Sequence, residues 1–197
     1  RMPSTSCRNA VSSKVFSAAS ANPDWDQILV VVNDSTYGGA GGSPSVVSTH
    51  ALAVGIAQHE FGHTFTGLAD EYESPFPGYP PCTDLTGIHC EPNVTNQIVR
   101  ASIKWNPWIE AATPVPTPET AAYADKVGLF EGARYLTSGM YRPQQSCLMN
   151  TLGTPFCRIC AQAYVRRLYT DAGVPAAGID NIEPGSETPP VGAVSVS

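Results

Sequence analysis

The first clear element in the chain is an unbroken apolar run, Ile28 to Val32, closed by Asn33-Asp34-Ser35. Such a run predicts a short strand buried on both faces. YGGAGGSPS follows at 37–45. Its glycine spacing fits no nucleotide-binding fingerprint, and the stretch predicts an edge or surface loop beside a cleft. Val46 and Val47 predict a brief second strand. Then the period changes. Leu52, Ile56, His59 and His63 recur at spacings of four, three and four, which is one face of a helix over about 50–65. Ser48 or Thr49 stands where a cap is needed, and Gly67 where a left-handed stop is needed. Gly55 and Gly62 each cost about 1 kcal/mol in a helix, and their missing side chains suit a close-packed neighbour.

The rest of the chain is less periodic. Val11 to Ala19 predicts a short helix, and the proline-rich 74–96 predicts irregular structure. Residues 97–110 read as a short helix or strand broken at Pro107. TPVPTPET at 113–120 reads as an extended connection. A helical turn is expected over 119–126, strands around a turn over 128–143, and a helix over 157–169. Residues 171–197 are expected to form a loosely packed tail. A boundary near 115 would leave each side short of core, so residues 1–197 are expected to form one domain.

The composition fits such a chain: 197 residues, 42% hydrophobic, with 17 glycines and 18 prolines. Large shaped loops are expected to outweigh regular elements. A net charge of −6 without a basic cluster argues against a nucleic-acid partner. No apolar run approaches the roughly 18 residues of a membrane span. The chain is expected to be a secreted monomer whose leader has been removed. Asn33 and Asn93 head glycosylation triplets.

Cysteines stand at 7, 82, 90, 147, 157 and 160. In a secreted chain most of them are expected in disulfides. Cys82 and Cys90 would close a small loop, and Cys7 would pair downstream. A structural zinc site takes four ligands, and with only one CxxC it is the less favoured expectation.

The informative chemistry is QHEFGHTFTGLADEYE at 58–73. His59 and His63 lie one helical turn apart, about 5–6 Å at Cβ, so two imidazoles can converge on one zinc ion. Glu60, beside them, can accept a proton from the attacking water. Packed histidines are the ordinary alternative. A catalytic site needs a third ligand and an open position. After the turn at Gly67, Asp70 is the favoured third ligand. Glu71 and Glu73 are its rivals, and His50 and His89 are weaker ones. Calcium is a second candidate ion, although no EF-hand loop occurs. Tyr141, with Tyr135 behind it, is a candidate donor to the developing oxyanion.

With Gly67 and Asp70 in place, the pattern HExxHxxxGxxD resembles the metzincin zinc endopeptidases, with both residues one position late. HEFGHTFTGLADEY at 59–72 more closely resembles the IgA-peptidase family of secreted metallopeptidases. The resemblance extends through VVNDSTYGGAGG at 31–42, VGLFEGARY at 127–135 and YRPQQSCLMN at 141–150. It implies an α+β, metzincin-like zincin domain with a mixed, mostly parallel sheet, an active-site helix and a C-terminal helix. It also implies zinc on His59, His63 and Asp70, Glu60 as general base, and Met149 as the Met-turn methionine, with Met140 as rival. The expected function is zinc-dependent endopeptidase activity on protein or peptide substrates. A catalytically inactive zinc-containing binding or adhesion module is the alternative.

Overall fold

The structure, a computed structural model, describes residues 5–22, 24–82 and 90–171, with backbone only at 5–11 and 171. Eight regular elements occur among them: α1 (Thr5–Ala19), β1 (Leu29–Val32), β2 (Gly39–Ala40), β3 (Ser45–Ser48), α2 (Ala53–Thr66), β4 (Phe130–Ala133), β5 (Leu136–Arg142) and α3 (Arg158–Asp171). Between α2 and β4 the described residues run through loops and single 3-10 turns at Arg100–Ser102, Asn106–Trp108 and Ala121–Tyr123. Of the expected tail at 171–197, Asp171 ends α3 and residues 172–197 lie outside the described residues, as do His89 and the side chain of Cys7.

The expected metzincin-like architecture is corrected by the structure. The sheet is small, with strand order β1-β3-β2. Only β1–β3 is parallel. β2–β3 is antiparallel, and β4–β5 is a separate antiparallel hairpin. The expectation of one helix-borne metal cluster above a Met-turn also fails, because a fully buried Glu71–Cys147–Cys157–Cys160 group is gathered elsewhere. These residues build an α+β fold with a small mixed sheet and helices.

Burial of β1 on both faces is likewise overturned. Leu29, Val31 and Val32 are exposed, because β1 is an edge strand paired only with β3. The inner strand β3 carries the buried positions. Gly38 and Gly39, by contrast, do line a cleft. A Cβ on Gly39 would stand 2.3 Å from Ile56, and one on Gly41 would stand 2.9 Å from His63, so this loop presses on α2 only because it lacks side chains. Thr64 Oγ1 fastens it, accepting from Gly42 N–H at 3.1 Å and lying 2.6 Å from Ser45 Oγ.

Helix α2 ends at Gly67 as its sequence requires, with φ 67°, the Gly67 N–H on the His63 carbonyl and the Leu68 N–H on the Gly62 carbonyl. Its start differs from expectation. Leu52 is the N-cap with no side-chain cap, since Ser48 belongs to β3. Leu52 N–H instead donates to His50 Nδ1 at 3.1 Å. α2 packs on α3 through Phe61, Phe65 and Tyr164, with Phe65 and Tyr164 centroids 5.2 Å apart.

The main core is built largely from irregular segments. Leu68, Ile103, Trp105, Leu129, Cys147 and Met149 pack with Ile159 of α3. Trp105 Nε1–H donates to the Gly128 carbonyl at 2.7 Å, so the indole keeps its polar atom satisfied. Lys104 Nζ holds three carbonyls of the 90–94 loop, at 2.8 to 3.0 Å. Aromatic burial and backbone hydrogen bonds replace regular ladders here.

This core lies directly under α2. A Cβ on Gly62 would stand 2.9 Å from Met149 Sδ, so the helix rests on the methionine sulfur. Leu129 is fully buried in the same cluster. Leu129→Ala should lower unfolding free energy by about 2–5 kcal/mol through lost burial and a residual cavity. Denaturant unfolding measures it.

Candidate metal centres

Two ligand clusters lie back to back around the segment Ala69-Asp70-Glu71. The first is His59, His63 and Asp70. α2 supplies the histidines, and the turn at Gly67 brings Asp70 back beneath them. His59 Nε2 and His63 Nε2 lie 3.1 Å apart, and Asp70 Oδ1 lies 2.9 Å from the first and 3.3 Å from the second.

Hydrogen bonding at the far side of each ring settles what faces inward. His59 Nδ1 lies 3.0 Å from the Leu148 carbonyl, and His63 Nδ1 lies 2.6 Å from the Leu68 carbonyl. A carbonyl only accepts, so both Nδ1 atoms carry protons. In the neutral rings both Nε2 atoms then present lone pairs. They point at Asp70 Oδ1, which is buried and has no hydrogen-bond partner. Three lone-pair atoms about 3 Å apart repel unless a cation stands among them. Two nitrogens and one oxygen, with Nδ1 atoms anchored on carbonyls, suit zinc.

Asp70 is held by β4–β5. The hairpin turns at Arg134 and Tyr135, both with positive φ (53° and 65°). Neither is glycine, so the turn stores about 1–3 kcal/mol at each. Three sets of bonds hold it. Arg134 N–H donates to the Asp70 carbonyl at 2.9 Å, and Tyr135 N–H to the Tyr72 carbonyl at 3.0 Å. The Arg134 guanidinium grips both oxygens of Glu91, at 2.8 and 3.1 Å. The Tyr135 hydroxyl donates to Asp70 Oδ2. Tyr135 thus supports a candidate ligand, a role its sequence spacing did not reveal.

Electrostatics follow from this arrangement. Burial alone would push the Asp70 carboxyl up; when the imidazoles are protonated at Nε2 they donate to Asp70, and with the Tyr135 hydroxyl they hold the carboxyl far below the carboxylate range. Burial opposes the charged forms of His59 and His63. The Asp70 and carbonyl contacts outweigh it and raise both. Glu60 is raised, chiefly by burial.

Glu60 lies on α2 beside His59. Together with Tyr72, Gly39, Leu148 and Asn150 they line an open cleft of about 770 Å³. Tyr141 is not among the residues lining it. Tyr141 lies in β5 with its hydroxyl 3.5 Å from Glu131. Tyr72 lies in the cleft instead, its hydroxyl pushed up to about 12 mainly by burial. Glu73 approaches Gly132 and Arg142 rather than the histidines. His50 stacks edge-on against Tyr37 at 5.4 Å.

Glu71 points away from the histidines into the second cluster. It is fully buried, with Oε1 3.1 Å from Cys160 Sγ and 3.8 Å from Cys157 Sγ. Cys147 Sγ lies 3.6 Å from Cys160 Sγ. These three cysteines are free, which corrects the expectation of disulfides for most of the six. Cys82–Cys90 is bonded as expected. Burial pushes Glu71, Cys157 and Cys160 up, whereas hydrogen bonds from Cys157 and Cys160 hold Cys147 below the usual thiol range. Asn93 is also fully buried. It bonds the Ala69 backbone at 2.8 and 2.9 Å and Glu71 Oε1 at 2.9 Å, so its glycosylation triplet is not an accessible acceptor. Neither cluster is an all-oxygen set, and the described residues give calcium no support.

A family model described as IgA Peptidase M64 matches residues 7–122 and 119–168. No curated protein matches the chain.

Two outcomes test this geometry. Tyr135→Phe should weaken metal binding about 10–100-fold by freeing the Asp70 carboxylate, with the fold retained. Competition with a chromogenic chelator measures it. Protons compete with the metal for His59 and His63, whose values are raised. Affinity should therefore be full above the raised histidine range and fall as pH drops through it, beginning at higher pH than for unshifted histidines. Asp70 stays ionised throughout. Chelator competition across pH checks the sign.

Proposed function

The chain belongs to the IgA Peptidase M64 family and is a metal-dependent peptidase, and from that premise we propose a zinc-dependent endopeptidase with zinc on His59, His63 and Asp70 and Glu60 as general base. The observation that carries this reading is the trio of lone-pair atoms at 2.9 to 3.3 Å, with Glu60 beside them in an open cleft. Zinc bound there supplies Lewis-acid polarisation of the scissile carbonyl and makes the attacking water more acidic.

The protein's own groups do the rest. Gly41 N–H bonds the Glu60 carboxylate, which keeps it facing the cleft. Glu60 takes the proton of the attacking water and returns it to the departing amine nitrogen. Its partial burial raises its basicity for that task. Tyr72 lines the same cleft and is better placed than Tyr141 to donate to the carbonyl oxygen. Met149, fully buried under Gly62, keeps α2 at a fixed height above the core.

Substrate chemistry follows from the cleft wall. β2 is the other edge of the three-stranded sheet, and Gly38 and Gly39 line the cleft. An extended peptide can add to that edge through main-chain hydrogen bonds. Proteins or peptides in extended form are the substrate class. Residues 1–197 are read as one catalytic domain, since the core cluster draws on Leu68 through Cys160. The Cys82–Cys90 disulfide supports a secreted protein.

Glu60→Gln keeps the shape of the side chain and removes the base. Hydrolysis of a casein substrate should fall by about 10²–10⁴-fold with zinc content unchanged. Undiminished proteolysis by this variant would remove Glu60 from the mechanism.

A further inference from the structure

Cys147, Cys157, Cys160 and Glu71 offer four ligand atoms within 4.8 Å of one another, and all four residues are buried. We propose that they form a second, closed zinc site whose role is structural. It would clamp the segments that hold the catalytic ligands.

Spacing is the first argument. Tetrahedral zinc with Zn–S near 2.3 Å and Zn–O near 2.1 Å places sulfurs about 3.8 Å apart and sulfur and oxygen about 3.6 Å apart. The cluster shows 3.6 Å between the Cys147 and Cys160 sulfurs, and 3.1 and 3.8 Å from Glu71 Oε1 to Cys160 and Cys157. A disulfide would need about 2.05 Å.

Unsatisfied chemistry is the second. Glu71 is fully buried, and its Oε2 has no hydrogen-bond partner. A buried carboxylate without compensation is costly, and a cation among these ligands supplies it. The surroundings suit thiolates. Cys157 N–H donates to Cys147 Sγ at 3.2 Å, and Cys160 N–H lies 3.5 Å from Cys157 Sγ. Cys160 sits in the first turn of α3, where the helix dipole favours negative charge.

Redox context is the third. The same chain carries the Cys82–Cys90 disulfide, so its thiols meet oxidising conditions. Three adjacent thiols would there close a further disulfide unless a metal held them.

Burial decides the role. Exposures of 0 to 4% leave no open coordination position for a substrate. Position explains what the site does. Glu71 directly follows the ligand Asp70. Cys147 directly precedes Leu148, whose carbonyl fixes His59 Nδ1. One ion on Glu71 and Cys147 therefore fixes two supports of the catalytic ligands, and Cys157 and Cys160 add α3 to the same knot.

The test uses the wild-type chain and the His59→Ala/His63→Ala variant, both purified without chelator from zinc-supplemented cells. Elemental analysis should find two zinc ions per chain in wild type and one in the variant. After cobalt exchange the variant should show a near-ultraviolet thiolate-to-cobalt band and intense visible bands of tetrahedral cobalt. Native wild type should resist alkylation at Cys147, Cys157 and Cys160, and all three should react after denaturation with chelator. Cys157→Ser/Cys160→Ser in the same background should abolish the cobalt bands. A metal-free histidine variant, cobalt spectra without thiolate bands, or peptide mapping that finds any of the three cysteines in a disulfide would overturn the proposal. Wild type with one ion and the full thiolate spectrum would uphold the second site while contradicting the His59–His63–Asp70 centre.

Discussion

The Glu71 N–H donates to the Met149 carbonyl across 2.8 Å, joining residues 69–71 to residues 147–149. Both sides carry ligands or their supports. Asp70 lies against the histidines and Glu71 against the cysteines. In the facing segment Cys147 meets the thiol cluster, the Leu148 carbonyl meets His59, and the Met149 sulfur meets Gly62. Pull this pairing apart and both ligand sets lose their geometry.

Around that seam the protein uses few regular elements and many fixed polar contacts. Asn93 bonds the Ala69 backbone on both its donor and acceptor sides and reaches Glu71 as well. The Arg134–Tyr135 turn accepts two strained residues and returns bonds to Asp70 and Tyr72. Strain near a ligand is tolerated because Glu91, Asp70 and the buried loop over-determine the conformation. Such a frame is rigid around the two ligand clusters, as a metal centre requires, and leaves β2 as a free sheet edge beside the cleft.

Much of the His59–His63–Asp70 cluster was legible in the sequence because it is local. The period linking Ile56, His59 and His63 and the stop at Gly67 are short-range signals, and they hold in α2. The glycine stretch at 37–45 read as an edge or surface loop by a cleft; Gly38 and Gly39 do line one, but Gly39 and Ala40 form the edge strand β2. Long-range features were not legible. The alternation of Asp70 and Glu71 between two clusters depends on pairing with residues nearly eighty positions away. Cys147 joins the CxxC only through the tertiary fold, so counting cysteines favoured disulfides. Similarly, the apolar run at β1 gave its strand but not its edge position, which the pairing order decides. The metzincin-like architecture failed for the same reason, since a motif of local spacing carries no information about how many strands lie behind it.

A crystal structure of zinc-loaded protein with an anomalous difference map at the zinc edge tests the central claim most directly. The account predicts a peak bounded by His59 Nε2, His63 Nε2 and Asp70 Oδ1, with Glu60 facing the same cleft. Zinc bound elsewhere, with no density among those three atoms at saturating metal, would contradict it.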